Sequence, residues 1–379
     1  MPILNKAVTM QFRDFNLTHW LKTGLSLMLM MTLAIGLGAA KPVLISALPA
    51  GNAITDGKAI LRYALPIDNA PVRDLQKTLE DISEQLRAKR RWGAITGDLS
   101  RASRILTTKK DALLASVAPD QLDKAEALID QLQAAIPVVQ AANEAQDRQQ
   151  VLAERDRVLD LVGQLEDTMV QGFPFAVPPT YQTLPQLKGR ATIEFVTSKG
   201  NITAVVDGYS APVTAGNFVD LVQRGFYDGL PFTRAEDSYV LQVGDPPGPE
   251  VGFVDPKTKQ YRAIPLEILV KGDETPTYEI TLEDAGRFLE QPVLPFSAYG
   301  AMALARPGDD PNGGSSQFFF FLFEPELTPA GANLLDGRYA IFGFVTDGKP
   351  VLDKLRPGDK IESARVVQGL ENLQQPQAA

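Results

Sequence analysis

The side chains that most often carry enzyme chemistry are nearly missing from this sequence. It has no cysteine, and its single histidine is His19. Beyond residue 19, thiol nucleophiles, disulfides, Ser–His–Asp triads, Cys–His pairs and almost every zinc site are excluded. Whatever chemistry remains must use carboxylates, arginine, lysine, hydroxyls, amides or shape alone. One acidic pair, Asp309-Asp310, sits in the run Pro307-Gly308-Asp309-Asp310-Pro311-Asn312-Gly313-Gly314 and invites comparison with a calcium loop. That density of Pro, Gly, Asp and Asn is the composition of a plain turn, and a turn is expected there. Neither a metal nor a cofactor is expected.

Charge narrows the partners. The chain has 379 residues and a net charge of −9. Residues 1–53 carry Lys6, Arg13, Lys22 and Lys41 against Asp14, so the acidity belongs to the rest. An acidic body repels phosphate backbones, so nucleic acid is not an expected partner. Between Lys22 and Lys41 lies an uncharged run, Thr23 to Ala40, rich in Leu and Met, with basic residues before it and small ones after. This is the pattern of a secretory signal, with cleavage expected after Ala40 or Ala53. The alternative is an uncleaved anchor, the only membrane contact expected, because the run is near the lower length limit for a span. In either case the body is exported across a membrane.

The elements that must position any site differ between the two halves. From Pro71 to Gly172 the pattern is helical. Leu75, Leu79, Ile82 and Leu86 form one apolar stripe, Leu122, Leu128, Leu132 and Ile136 a second, and Leu152, Val158, Val162, Leu165 and Met169 a third. Apolar residues at three- and four-residue steps, with polar residues between, predict a helical bundle of about four segments. Gly172 and Pro174 stop the last helix. The proline-dense Phe173 to Pro179 cannot continue it, and its aromatics predict a connection lying against protein. The bundle's stripes are structural, and a docking role for a partner or for the second half cannot be told from periodicity.

After residue 182 the period changes to two. Ala191, Ile193 and Phe195 alternate with polar neighbours, Lys199-Gly200 turns, and Ile202, Ala204 and Val206 alternate again, a predicted hairpin. Pro212 to Arg224 predicts a short helix ended by Gly225. Strand-like runs follow near Val240, Ile264–Ile268, Ala301–Ala305, Phe318–Phe323 and Tyr339–Val345. Many short strands with one or two helices predict a closed or nearly closed barrel.

Six motifs then occur in order: Pro212-Val213-Thr214-Ala215-Gly216-Asn217-Phe218; Gly225-Phe226-Tyr227-Asp228-Gly229 with Phe232-Thr233-Arg234; Gln242-Val243-Gly244-Asp245; Gly300-Ala301-Met302-Ala303; Gly314-Ser315-Ser316-Gln317-Phe318-Phe319; and Leu335-Asp336-Gly337-Arg338-Tyr339-Ala340-Ile341-Phe342-Gly343. Each alone is weak, but together they resemble the cyclophilins. With Ala64-Leu65-Pro66-Ile67-Asp68-Asn69, the helical half and Leu327-Thr328-Pro329, nearly the whole mature chain is similar to the multidomain cyclophilins of the thylakoid lumen, which occur in plants and cyanobacteria. The resemblance implies an α + β protein of two domains, a helical bundle at 54–182 followed by a closed antiparallel β-barrel at 183–371, with a targeting segment at 1–53 and a tail at 372–379. It implies a peptidyl-prolyl cis-trans isomerase and chaperone that grips proline-containing segments, photosystem II subunits among them, in the thylakoid lumen. The periplasm is the alternative compartment. Contact between bundle and barrel is also expected.

The same resemblance assigns a groove without proton transfer. The amide barrier, roughly 18–20 kcal/mol, comes from partial double-bond character. A catalyst lowers it by binding the twisted amide better than the planar one. Arg234 matches the arginine that donates toward the prolyl nitrogen, and Gln242 the family glutamine. Gln317 and Phe319 match the facing strand, with Phe319 as floor of the proline pocket, and Ala303 and Ala305 match residues flanking the substrate backbone. An arginine is otherwise most simply a surface ion-pair residue; the motif is what favours a groove for Arg234. Departures are Thr233, Tyr239 and Val240 around the arginine hairpin, Leu304 between the two alanines, Leu334 in place of a tryptophan, and Tyr339 in place of a histidine. These suggest a looser, less polar pocket and weak isomerisation. The rival is an inactive assembly scaffold that only binds proline-containing segments. Two insertions, about Val270 to Phe296 and Glu324 to Asn333, exceed a minimal domain. The first carries a helical pattern at Thr281 to Leu289 and apolar Val293, Leu294 and Phe296, which predict a packed loop over the groove or against the bundle.

The processed protein is expected to begin at Lys41 or Ile54. N-terminal sequencing of native material checks this, and a bulk protein starting at Met1 or Pro2 would establish the anchored form.

Overall fold

A computed structural model of the protein describes residues 54–88, 91–236, 239–323 and 333–376. Residues 1–53, where a signal is expected, Leu327-Thr328-Pro329 and most of the second insertion lie outside the described residues. Residues 51–379 form one compact unit, and none of the described helices is long and apolar enough to cross a membrane.

The helical part contains α1 (Gly57–Ala64), α2 (Ala70–Ala88), α3 (Trp92–Thr108), the short α4 (Lys110–Leu114), α5 (Leu122–Glu144) and α6 (Arg148–Asp167). The stripes meet as expected: Leu75, Leu79, Ile82, Leu128, Leu132, Val158, Val162 and Leu165 are buried in one cluster. Leu122 is the exception, 38% exposed at the first position of α5. Asn69 explains its motif. Its Oδ1 accepts from the Val72 amide at 3.0 Å and its Nδ2 donates to the Ala112 carbonyl at 2.9 Å, so one side chain starts α2 and ties it to α4.

Helix α1, too short to announce itself by periodicity, has two jobs. On one side Arg62 pairs with Glu80 of α2 at 2.9 Å. Arg73 donates to the Arg62 carbonyl at 2.8 Å and to Glu166 of α6 at 3.0 Å. On the other side Ile60 and Leu61 join Phe321, Ile341 and Phe344 of the β half in one apolar cluster. Gly57 permits this approach, since a Cβ there would sit 2.8 Å from the Phe344 Cβ. Arg190 donates to the Leu61 carbonyl and pairs with Asp207 at 3.2 Å.

The β half holds β1 (Gln186–Leu187), β2 (Arg190–Thr197), β3 (Gly200–Asp207), α7 (Pro212–Gln223), β4 (Arg234–Glu236), β5 (Val240–Val243), β6 (Glu267–Ile268), β7 (Thr277–Tyr278), β8 (Ala301–Leu304), β9 (Phe318–Phe321), β10 (Ile341–Asp347), α8 (Lys349–Leu352), β11 (Ile361–Gln368) and β12 (Leu373–Gln374). Eight strands form one antiparallel sheet in the order β11-β2-β3-β10-β8-β9-β5-β4. The expected closed barrel is therefore corrected to an open, curled sheet. Its edges β4 and β11 do not pair. A seam of main-chain bonds spans the gap instead, with Phe232 donating to the Asp359 carbonyl at 2.8 Å and Ile361 to the Leu230 carbonyl at 3.0 Å. Pro231 at this seam has no N–H to donate, and β4 is only three residues long. Leu373 and Gln374, expected in a tail, pair with Leu187 and Gln186.

Side chains alternate across the sheet, so Phe318 and Phe320 enter the inner core with Phe195, Phe218 and Phe342, while Phe319 and Phe321 leave by the other face. All four are at most 5% exposed. The outer face is covered by α1 and by Leu294, Phe296 and Ala298 at the end of the first insertion. That insertion has no helix at Thr281 to Leu289: turns replace it, and Gly286 at φ +72° ends the one capped by Thr281. The proline-dense connection lies on the β half, where Lys188 sits 4.0 Å over the Phe173 ring and Val177 is buried.

Two carboxylates are sealed at junctions. Glu166, fully buried against Arg73, is pushed up to about 8 because burial outweighs the arginine. Glu267 of β6 accepts from the Val213 and Thr214 amides at 3.1 and 3.0 Å, capping α7, and burial pushes it up to about 7. Both bind a proton more tightly folded than unfolded. Their contribution is full below the ordinary value of 4.5 and is lost as pH rises through about 7 and about 8. The thermal midpoint should fall by a few degrees between mildly acidic and alkaline buffer, with a flatter profile in Glu166→Gln and Glu267→Gln. Calorimetry of the three proteins across that range checks this, and a wild-type midpoint that rises with pH contradicts it.

Candidate functional site

The eight-residue spacing between Arg234 and Gln242 is a hairpin register. The two residues are direct partners across β4 and β5. Gln242 is then opposite Phe319 on β9, and Phe319 opposite Ala303 on β8. Arg234, Gln242, Phe319 and Ala303 thus form one transverse row over four strands. Directly opposed residues share a face, so sheet geometry brings together a guanidinium, an amide and an aromatic ring from positions 85 apart in sequence.

The row opens into a cleft of about 360 Å³. Of the residues expected there, Arg234, Tyr239, Val240, Gln242, Ala305, Gln317, Phe319 and Tyr339 line it. Three do not. Ala303 is fully buried with Ile60 and Phe344 in the outer-face cluster. Leu304 follows it on the strand and points the other way, into a cluster with Val213 and Ile264. Its N–H is taken by the Ala340 carbonyl at 3.0 Å. Leu334 is 87% exposed, and its neighbour Leu335 lines the cleft instead. One residue of register in a turn decides which leucine faces in.

The motifs hold this wall in place. The Gln317 side chain receives a bond from Gln242 Nε2 at 2.7 Å and donates to Asp245 at 3.1 Å and to the Val251 carbonyl at 2.8 Å. This chain fixes the Gln242 amide. Gly244, at φ +101°, lets the main chain pass where a Cβ would be 2.4 Å from the Ser316 carbonyl. Ser316 donates to the Gly244 carbonyl at 2.8 Å, Asn217 of α7 to the Ser315 carbonyl at 2.7 Å and Tyr227 to the Ser316 carbonyl at 2.9 Å. The Gly-Ser-Ser-Gln run is therefore an anchor for the wall, joined to α7 and to β5.

The apolar floor is not open. Phe296 from the first insertion lies parallel to Phe319, centroids 6.0 Å apart, and Tyr339 meets Phe319 edge-on at 5.5 Å. Phe319 is left 5% exposed. The expected looser pocket is instead packed by the insertion, and the remaining cleft is polar. Its described lining includes two arginines, Arg234 and Arg306, and no carboxylate.

Sequence reasoning missed Arg306, Tyr261, Ser315 and Leu335 in this lining. Arg306 directly follows Ala305, so the motif could have been extended to it; Tyr261 comes from a loop with no periodic signal. The described residues contain no group of three or more His, Cys, Asp or Glu that could hold a metal ion. Asp310 is occupied in a turn, accepting from the Asn312 amide at 2.8 Å.

Comparison with known proteins gives two family matches. Residues 56–170 match the family described as peptidyl-prolyl cis-trans isomerase CYP38-like, PsbQ-like domain. Residues 192–372 match cyclophilin type peptidyl-prolyl cis-trans isomerase. The chain is 60% identical over 333 residues to a putative thylakoid lumen peptidyl-prolyl cis-trans isomerase of Synechocystis, covering 88% of each. It is 45% identical over 349 residues to the chloroplastic peptidyl-prolyl cis-trans isomerase CYP38 of Arabidopsis thaliana, covering 89% of this chain and 80% of that one. To the chloroplastic CYP37 of the same plant it is 31% identical over 346 residues, covering 84% and 71%.

Removing the ring that lies on Phe319 should expose the floor. Phe296→Ala is expected to lower stability by about 3 kcal/mol, as for other buried phenylalanines, and to tighten binding of a proline-containing peptide. Denaturant unfolding and a fluorescence titration measure the two; a destabilised variant with unchanged affinity would show that Phe296 does not restrict the site.

Proposed function

Because this chain belongs to the cyclophilin-type peptidyl-prolyl cis-trans isomerase family, we propose that the row Arg234–Gln242–Phe319 binds proline-containing segments of exported proteins and eases rotation about the bond before proline. The observation that carries this reading is the register itself. It places a guanidinium donor and a fixed amide side by side, next to an aromatic ring, on one face of a sheet. A donor aimed at the prolyl nitrogen interacts more strongly with it once conjugation is lost, and only such differential binding accelerates the step. Gln242, held by Gln317, keeps the neighbouring carbonyl in place without reorganising. No proton is transferred, so the lack of cysteine and of any histidine beyond His19 does not matter.

The compartment that fits is the thylakoid lumen. The support is the exported pattern of residues 1–53 together with the names carried by the relatives from Synechocystis and Arabidopsis. Photosystem II subunits as clients follow from the family resemblance alone. A second reading, a scaffold that binds proline segments without turning them over, is favoured by one observation: Phe296 leaves little of Phe319 for a prolyl ring.

Arg234→Ala and Arg234→Lys decide between them. A single preorganised donor of this type contributes up to roughly 3–4 kcal/mol to a transition state. In this narrowed cleft a smaller loss is expected, at least about tenfold in turnover, with peptide affinity nearly unchanged. A protease-coupled isomerisation assay and a binding titration are measured on the same proteins. Full activity in Arg234→Ala removes Arg234 from the mechanism, and an inactive wild type that binds peptide establishes the scaffold reading.

A further inference from the structure

The described lining of the cleft differs in residue charge from the protein as a whole. The chain is strongly acidic, yet the described lining holds Arg234 and Arg306 and no Asp or Glu. Arg306 is held in a fixed position. Its Nε and Nη2 donate to the Arg338 carbonyl at 3.0 and 2.8 Å, and its Nη1 to the Pro307 carbonyl at 2.8 Å. The guanidinium lies 5.2 Å from the centroid of the Tyr339 ring, the same ring that meets Phe319 edge-on. Main-chain carbonyls orient the cation without neutralising it, and among the described residues it forms no ion pair. Guanidinium has five N–H donors in a planar fork that suits a carboxylate, so at least one donor is left to point elsewhere.

We propose that Arg306 is a specificity-determining residue that selects client segments carrying an Asp or Glu near the proline. This rests on the proline-binding reading of the same cleft. The spacing sets where the acid belongs. The Arg306 guanidinium lies 5.2 Å from the Tyr339 centroid, and that ring 5.5 Å from Phe319, a span of no more than about three residues at strand rise. An extended peptide with proline toward Phe319 therefore brings a residue two or three positions away to the guanidinium. A carboxylate there meets a cation whose orientation main-chain carbonyls already hold, which costs little ordering. A basic residue there meets the Arg306 guanidinium, with no Asp or Glu in the described lining.

The test uses the full mature chain and short peptides with one proline, in which Glu, Gln or Lys occupies each position from one to four residues on either side. Affinity is read by fluorescence titration. At one position, two or three residues from proline, Glu is expected to bind about tenfold more tightly than Gln, a lower-end value for a charged hydrogen bond at a half-exposed site, and Lys more weakly than both. The preference should shrink when salt is raised from about 0.01 to about 1 M, where screening shortens from roughly 30 to 3 Å. Arg306→Gln should bind Glu and Gln peptides alike, and Arg306→Glu should prefer Lys, an inversion that a purely structural role cannot produce. Equal binding of Glu, Gln and Lys peptides by wild type overturns the assignment while leaving the proline-binding reading intact. A Glu preference retained in Arg306→Glu overturns it as well. If no proline peptide binds at any charge, the proposed function falls and this inference falls with it.

Discussion

Alternation along β9 is the constraint on which the rest of this structure depends. Four consecutive phenylalanines, Phe318 to Phe321, cannot all face one core, because successive side chains in a strand leave by opposite faces. Phe319 and Phe321 must therefore emerge on the outside of the sheet, where each ring left in water would cost roughly 1.5–3 kcal/mol. The chain covers them with two distant segments, Ile60 and Leu61 of α1 and the Leu294-to-Ala298 end of the first insertion. Once α1 is committed to that face, the helical bundle is held beside the sheet, since α1 is also tied to α2 and α6 through Arg62 and Arg73.

Covering the outer face has a chemical consequence. The ring that would floor a proline pocket belongs to the same row that must be kept dry. Phe296, supplied to shield it, also narrows the seat. What stays open is the polar side of the row: Arg234, Gln242 held by Gln317, and beyond them Arg306 on its cage of carbonyls. The open part of the cleft thereby offers hydrogen bonding and charge more than an apolar seat.

The junctions follow a related logic. Glu166 joins α6 to α2, and Glu267 caps α7 from β6. Glu267 accepts from two main-chain amides, whereas Glu166 accepts from Arg73 through one oxygen and leaves the other buried without a partner. Burying an ionised carboxylate is costly even when it is paired, which is why burial raises both. Asn69 and Asn217 bond main-chain groups without any charge.

Much of this was legible in the sequence. Local periodicity determined the long helices and most strands, because burial of one stripe or one face depends only on spacing of three to four or of two. The absence of Cys, and of His beyond His19, limited the chemistry before any geometry was known, and of the eleven groove residues expected from the motifs eight line the cleft. What spacing could not decide were contacts between distant parts of the chain. Helix α1 is eight residues long and is stabilised by two different neighbours. The gap between β4 and β11 is spanned by main-chain bonds between segments far apart in sequence, where Pro231 lies opposite Lys360. The choice of Leu335 over Leu334 depends on the turn that carries them, and Ala303 and Leu304 were lost to the site by burial on opposite faces of β8. A residue's type announces what it can bond; only the tertiary structure decides whether another segment has already claimed that surface, because burial is a property of neighbours that sequence distance does not record.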